Sequence, residues 1–111
     1  MIDAQWCAEI EKTSMGTNTL PAVLPYEVRA QSHKNALARR LLETMARKRS
    51  NLCLSADVTT KEALIRIVKL CAPFIVIVKT HIDIVSDFDE DLSTELKWIC
   101  RAHDILIFED R

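Results

Sequence analysis

The stretch Phe74-Ile75-Val76-Ile77-Val78-Lys79-Thr80-His81-Ile82-Asp83 decides the fold class. Its first five residues are continuously apolar instead of alternating, which is the pattern of a strand covered on both faces, as in a parallel sheet. The chain then passes directly into Lys79, His81 and Asp83. Ionisable groups just past the carboxyl ends of parallel strands are how α/β enzymes build sites.

Two other runs have the same form. Leu52-Cys53-Leu54 closes on Ser55-Ala56-Asp57, and Ile105 to Phe108 closes on Glu109-Asp110-Arg111. Helical patterns separate the runs. Thr59 and Glu62 have capping-box spacing ahead of Leu64, Ile67, Val68 and Cys71, which follow the i, i+3, i+4, i+7 rule, and Pro73 stops that helix. Asp87, with Glu90 three residues on, opens a second helix whose Leu92, Leu96, Ile99 and Cys100 share one face. Upstream of the first run, Asn35 precedes Leu37, Leu41 and Met45 at four-residue steps, with Ala38 and Leu42 beside them. The order is helix, then β-α-β-α-β. A doubly wound open sheet and a (β/α)₈ barrel both use it, and pattern alone does not choose between them.

The chain has 111 residues, 49% of them hydrophobic and 28% charged, which describes one globular domain or part of a larger one and argues against disorder. A net charge of -1 gives no general drive toward nucleic acid or membrane. Residues 27–50 are locally basic, with Arg29, Lys34, Arg39, Arg40, Arg47, Lys48 and Arg49 against Glu27 and Glu43. No aromatics interleave these cations, so the run reads as a solvated helix face and not as a nucleic-acid patch. Cys7, Cys53, Cys71 and Cys100 form no CxxC pair; the last three fall in apolar runs or on apolar helix faces, which predicts buried free thiols in a reducing compartment. No run is long and apolar enough to span a membrane, and residues 1–20 lack the charged start and apolar core of a signal peptide, so the chain reads as cytoplasmic. Residues 1–25, with the Thr- and Ser-rich stretch from Thr13 to Thr19 and two prolines, read as a mobile leader in which Trp6 and Ile10 make at most a short helical turn.

Each strand-end residue has a bland and a functional reading. Asp57 is either a helix cap ahead of Thr59 or a site carboxylate. Lys79, after five apolar residues, needs a carboxylate partner, suffers a depressed pKa, or snorkels out of the sheet edge. His81 is a hydrogen-bonding residue or part of the same cluster, which Asp83 extends. Either Glu109 or Asp110 is placed to pair Lys79 or Arg111. No metal set can be assembled, because His33 and His103 stand in unrelated contexts. Asp87, Asp89, Glu90 and Asp91 suit a helix N-terminus. If the three strand ends converge, Asp57, Lys79 and Asp110 form an alternating carboxylate–ammonium–carboxylate array. Such an array stabilises or repels substrate charge and relays protons without a cofactor.

Three segments, in register, resemble the eukaryotic branch of the orotidine 5′-phosphate decarboxylase family: Asn51 to Val58, Val78 to Ile84, and Leu106 to Arg111. Arg29-Ala30 and the helical pattern from Leu37 to Met45 fit as well, so the resemblance covers residues 26–111. The wording around Asp57 also resembles the decarboxylase half of animal bifunctional UMP synthases. The resemblance implies a (β/α)₈ barrel, with only the leading helix, the first three strands and two helices present in these 111 residues. It implies removal of CO₂ from orotidine 5′-monophosphate to give UMP, without metal or organic cofactor, by an enzyme that is a homodimer in its full-length form. By position, Asp57 and Lys79 would bind the ribose hydroxyls, Thr80 and His81 would line the substrate pocket, and Ser55 would lie near the pyrimidine. Asp110 would sit against the departing carboxylate, in a charged network with Lys79. The family lysine that protonates the departing carbon follows two positions after the residue matching Asp110, beyond Arg111. The expectation is therefore an N-terminal portion of the enzyme, inactive alone. The alternatives are a non-catalytic α/β module or splice product, and a different lyase or isomerase of the barrel superfamily, which the Lys79-Thr80-His81 text disfavours.

Overall fold

The computed structural model describes residues 23–110. Most of the expected leader, with Trp6, Cys7 and Ile10, lies outside the described residues, as does Arg111. A short helix α1 (Tyr26–Ser32) and a longer α2 (Ala36–Lys48) lead into strand β1 (Leu52–Ala56). Helix α3 (Lys61–Cys71), a 3₁₀ turn over Ala72–Phe74, strand β2 (Ile75–Thr80) and a second 3₁₀ turn over Ile82–Ile84 follow. Helix α4 (Glu90–Ala102) and strand β3 (Leu106–Glu109) complete the order. The expected β-α-β-α-β sequence is present. The short α1, which starts after Pro25 and buries only Ala30, is an addition to it.

The three strands are parallel and adjacent in the order β1-β2-β3. The Cα partners Leu54↔Val78, Ala56↔Thr80 and Val78↔Ile107 share one face, and Ser55↔Lys79↔Phe108 share the other. The first face packs under α3 and α4. Ala56, Leu64, Val68, Val78, Leu92, Leu96 and Ile99 form its core, with Val68 and Val78 wholly inaccessible. Each side chain buried this fully contributes on the order of 1.5–3 kcal/mol of hydrophobic stabilisation.

The second face corrects the expectation that β2 is covered on both sides. Below Lys79, a groove of about 420 Å³ runs between α2 and this face, lined by Leu37, Leu41, Ile77, Leu106 and Phe108. Leu37 remains 62% exposed and Phe108 56% exposed. Cys53, on the same face as Ile77, is exposed and not buried as its apolar run suggested; among the described cysteines, Cys71 is half-buried and Cys100 alone is enclosed. The apolar character of β2 thus serves helices on one side and a half-open surface on the other.

Two helix starts also differ from the sequence reading. The cap of α3 is Thr60, whose hydroxyl accepts from the Ala63 N–H at 3.3 Å, and not Thr59. The cap of α4 is Asp89, which accepts from the Leu92 N–H at 2.8 Å, and not Asp87. Each displaced residue does other work, because the loops after β1 and β2 are stapled together. Both the N–H and the hydroxyl of Ser86 donate to the Thr59 carbonyl, at 2.8 and 3.0 Å, and Asp87 accepts from the Lys61 N–H at 2.8 Å. Lys61 Nζ adds an ion pair with Asp89 at 2.7 Å.

At the opposite end of the sheet, the basic run has a structural use. Lys48 Nζ donates to three main-chain carbonyls, those of Ala72, Ile75 and His103, at 2.8, 2.5 and 2.7 Å. Arg47 pairs with Asp104, and the Ser50 hydroxyl donates to the Phe74 carbonyl. The C-terminal end of α2 is thereby tied to the segments that enter β2 and β3. Arg49 closes α2 in the left-handed conformation (φ 52°), its N–H returning to the Met45 and Ala46 carbonyls.

Candidate active site

The register fixes where the charged residues stand. Ser55 and Lys79 are Cα partners on the open face, and Asp57 and Asp110 each lie two residues along the chain beyond that level, just past the ends of β1 and β3. On the β1 side the chain turns as the strand ends, the Asp57 N–H donating to the Ser55 carbonyl at 3.1 Å. On the β3 side the contact is made: Lys79 Nζ lies 2.9 Å from Asp110 Oδ2. The Asp110 N–H donates to the Thr80 carbonyl at 2.8 Å, which carries the β2–β3 pairing one step past the end of β3.

The electrostatics follow from this geometry. The hydrogen bond and charge of Asp110 raise the Lys79 pKa above its ordinary 10.5, and Asp57 adds a smaller push in the same direction. The same bond holds the Asp110 carboxyl below its ordinary 3.8, with a smaller favourable contribution from His81. Of the two acids at the end of β3, Asp110 therefore pairs with Lys79. Both side chains are about 40% exposed, so solvent screens the pair. Of the alternating array anticipated from the strand ends, the Lys79–Asp110 half is in contact, and Asp57 acts on Lys79 through its charge alone.

Not every candidate joins it. Ser55 shares the face of Lys79 and is exposed, and His81 stands half-buried at the turn after β2. Alternation along β2 turns the Thr80 side chain to the helix side, where it is 1% exposed and its hydroxyl donates to Glu109 Oε2 at 2.5 Å. Asp83 is exposed on the second 3₁₀ turn and is not among the groups that shift Lys79 or Asp110. Among the described residues, no three His, Cys, Asp or Glu side chains lie close enough to hold a metal ion. Sequence reasoning gave Glu109 no separate role, although Thr80 and Glu109 share the parity opposite to Lys79, and that signal is readable in the strands.

The model of the orotidine 5′-phosphate decarboxylase / HUMPS family matches residues 50–111, more than half of the chain and all three strands. The chain belongs to this family. It is 54% identical over 87 residues to the orotidine 5′-phosphate decarboxylase of Rhizopus oryzae, a match that covers 78% of this chain and 33% of the relative. The enzyme of the same name from Rhizomucor pusillus is 52% identical over 86 residues, with 78% and 33% covered. That of Penicillium nalgiovense is 48% identical over 88 residues, with 79% and 32% covered. The chain thus spans about a third of the length of these curated relatives. Family membership rests on a stretch that includes Asp57, Lys79 and Asp110, the residues of the charged array.

Proposed function

We propose that this sequence supplies the first part of an orotidine 5′-monophosphate decarboxylase site, with β1, β2 and β3 as consecutive staves of a (β/α)₈ barrel. The observation that carries the reading is the Lys79–Asp110 pair, flanked by Asp57, at the carboxyl ends of adjacent parallel strands. In this reading Asp57 and Lys79 hold the ribose hydroxyls, Ser55 lies near the pyrimidine, His81 lines the pocket, and Asp110 faces the substrate carboxylate. The bond from the pyrimidine ring to the carboxylate breaks, CO₂ leaves, and the electron pair stays on the ring carbon. The carbanion then takes a proton. A carboxylate held against the scissile group disfavours the charged ground state, and an adjacent ammonium favours the transition state as charge moves into the ring. No cofactor enters this scheme. The same reading takes a homodimer as the assembly and the cytoplasm as the compartment, on family membership alone.

The 111 residues taken by themselves are expected to be inactive. The three strands of the described residues do not close a barrel, which takes eight. The proton-donating lysine implied by the resemblance, two positions past Asp110, is not among them. The test has two arms. The purified polypeptide is mixed with orotidine 5′-monophosphate and followed by ultraviolet absorbance; measurable turnover would overturn its inactivity. Residues 26–110 are also grafted in place of the matching stretch of the Rhizopus oryzae enzyme. Turnover by the folded graft, lost by at least about a hundredfold in Lys79→Ala, is the expected result. A folded graft whose rate ignores Lys79 would refute the assignment and favour a non-catalytic module.

A further inference from the structure

We infer that Glu109 is the positioning residue of this site, holding the turn that carries His81 so that Asp110 meets Lys79. The inference rests on reading the strand ends as the substrate site and adds a residue to it. Glu109 is the Cα partner of Thr80 in the β2–β3 ladder, so its side chain lies on the helix side, away from Asp110. There its two carboxylate oxygens take one partner each. Oε2 accepts from the Thr80 hydroxyl at 2.5 Å, and Oε1 accepts from the Ile82 N–H at 3.1 Å. These partners bracket His81 on both sides.

The bracket matters because β2 ends there. Past Thr80 the chain leaves the ladder with His81 at φ -132° and ψ 75° and enters the 3₁₀ turn over Ile82–Ile84. Without Glu109 the Ile82 N–H has no acceptor of this kind, and the buried Thr80 hydroxyl is orphaned, a situation that folded proteins avoid. The carboxylate also fixes its own strand. With Glu109 held against Thr80, the following residue stays alongside β2, its N–H on the Thr80 carbonyl at 2.8 Å and its side chain on the Lys79 face. The two adjacent acids thus divide the work across the two faces of the sheet. Asp110 supplies charge to the site, and Glu109 keeps Asp110 and His81 in place from behind.

A test on the 111-residue chain follows the Asp110 carboxyl carbon by NMR through an acid titration in Glu109→Gln and Glu109→Ala. Both variants remove the Glu109 charge, so their comparison cancels its direct effect on Asp110. Only Gln retains an acceptor for the Ile82 N–H and a polar partner for Thr80. The expected result is an Asp110 midpoint that stays low in the Gln variant and shifts up toward 3.8 in the Ala variant. Equal midpoints, even with lower global stability in the Ala variant, would overturn the positioning role. If the Ala variant does not fold, Thr80→Ser and Thr80→Val replace it: Ser should titrate as the parent and Val higher, and equality of the two overturns the inference. This readout does not require turnover, so an active graft with equal midpoints would sink the positioning role alone. A shifted midpoint with an inactive folded graft would sink the decarboxylase reading alone.

Discussion

Lys79 Nζ and Asp110 Oδ2 stand 2.9 Å apart across two parallel strands, and the pair is the one direct ion pair between strand ends among the described residues. Its effect on stability should follow pH with a definite sign. The Asp110 value in the fold is below its ordinary 3.8, so its contribution is present above 3.8 and lost as pH falls through the lowered value. The Lys79 value is above its ordinary 10.5, so its contribution is present below 10.5 and lost as pH rises through the raised value. Urea unfolding of the chain and of Asp110→Asn should therefore differ near neutral pH and converge in strong acid. The gap should also narrow with added salt, because both side chains are about 40% exposed. A gap unchanged by acid would contradict the pairing.

The capping of α3 gives a second expectation. Thr60 offers its hydroxyl to the Ala63 N–H, whereas Thr59 is engaged through its main-chain carbonyl, which any residue supplies. Thr60→Ala should cost about 1 kcal/mol in chemical denaturation, and Thr59→Ala should be close to neutral. Equal costs would restore the capping box read from Thr59 and Glu62.

That one-residue offset shows where sequence reading reaches its resolution. The period of Leu64, Ile67, Val68 and Cys71 fixes a helix and its buried face, because burial enforces the spacing. A cap depends instead on which of two adjacent threonines leaves the helical conformation, and the spacing to Glu62 does not decide that. The charged array was legible for the same reason as the helices: Asp57, Lys79 and Asp110 each closely follow an apolar run. The half-open second face was not legible, since the residues that cover one face and those that line the other alternate within one unbroken apolar string. Lys48 was hidden for another reason. Its partners are main-chain carbonyls of Ala72, Ile75 and His103, which carry no sequence signature.

Lys48 accordingly supports a prediction of its own. Burial lowers its pKa from the ordinary 10.5, against an opposing pull from Asp104, and three carbonyls satisfy its three protons. Lys48→Met keeps the aliphatic stem and leaves those carbonyls without their donor, at a cost of about 2 kcal/mol or more. Arg47→Ala removes a neighbouring cation whose side chain is 60% exposed, and should cost less than about 1 kcal/mol. Urea unfolding of the two variants side by side checks the ranking. A Lys48 variant no worse than the Arg47 variant would mean that the ammonium clasp does not hold α2 in place.

The cysteines report on which face of the sheet is closed. Cys100 is 2% exposed, and burial pushes its thiol up to about 11, so near pH 8 only about one molecule in a thousand carries the reactive thiolate. Cys53 is exposed on the face of Ile77 and Lys79. Brief iodoacetamide treatment followed by peptide mapping should find Cys53 modified and Cys100 untouched until urea unfolds the chain. Equal rates in the folded chain would contradict the burial of the α4 face. The same label then tests the barrel. If β1, β2 and β3 are three staves of a closed barrel, the open face becomes its interior. Cys53 should then lose its reactivity in the graft with the Rhizopus oryzae enzyme while Cys100 stays protected in both settings. Retained reactivity of Cys53 in a folded graft would mean that this face is not enclosed, and the barrel assignment would fall with it.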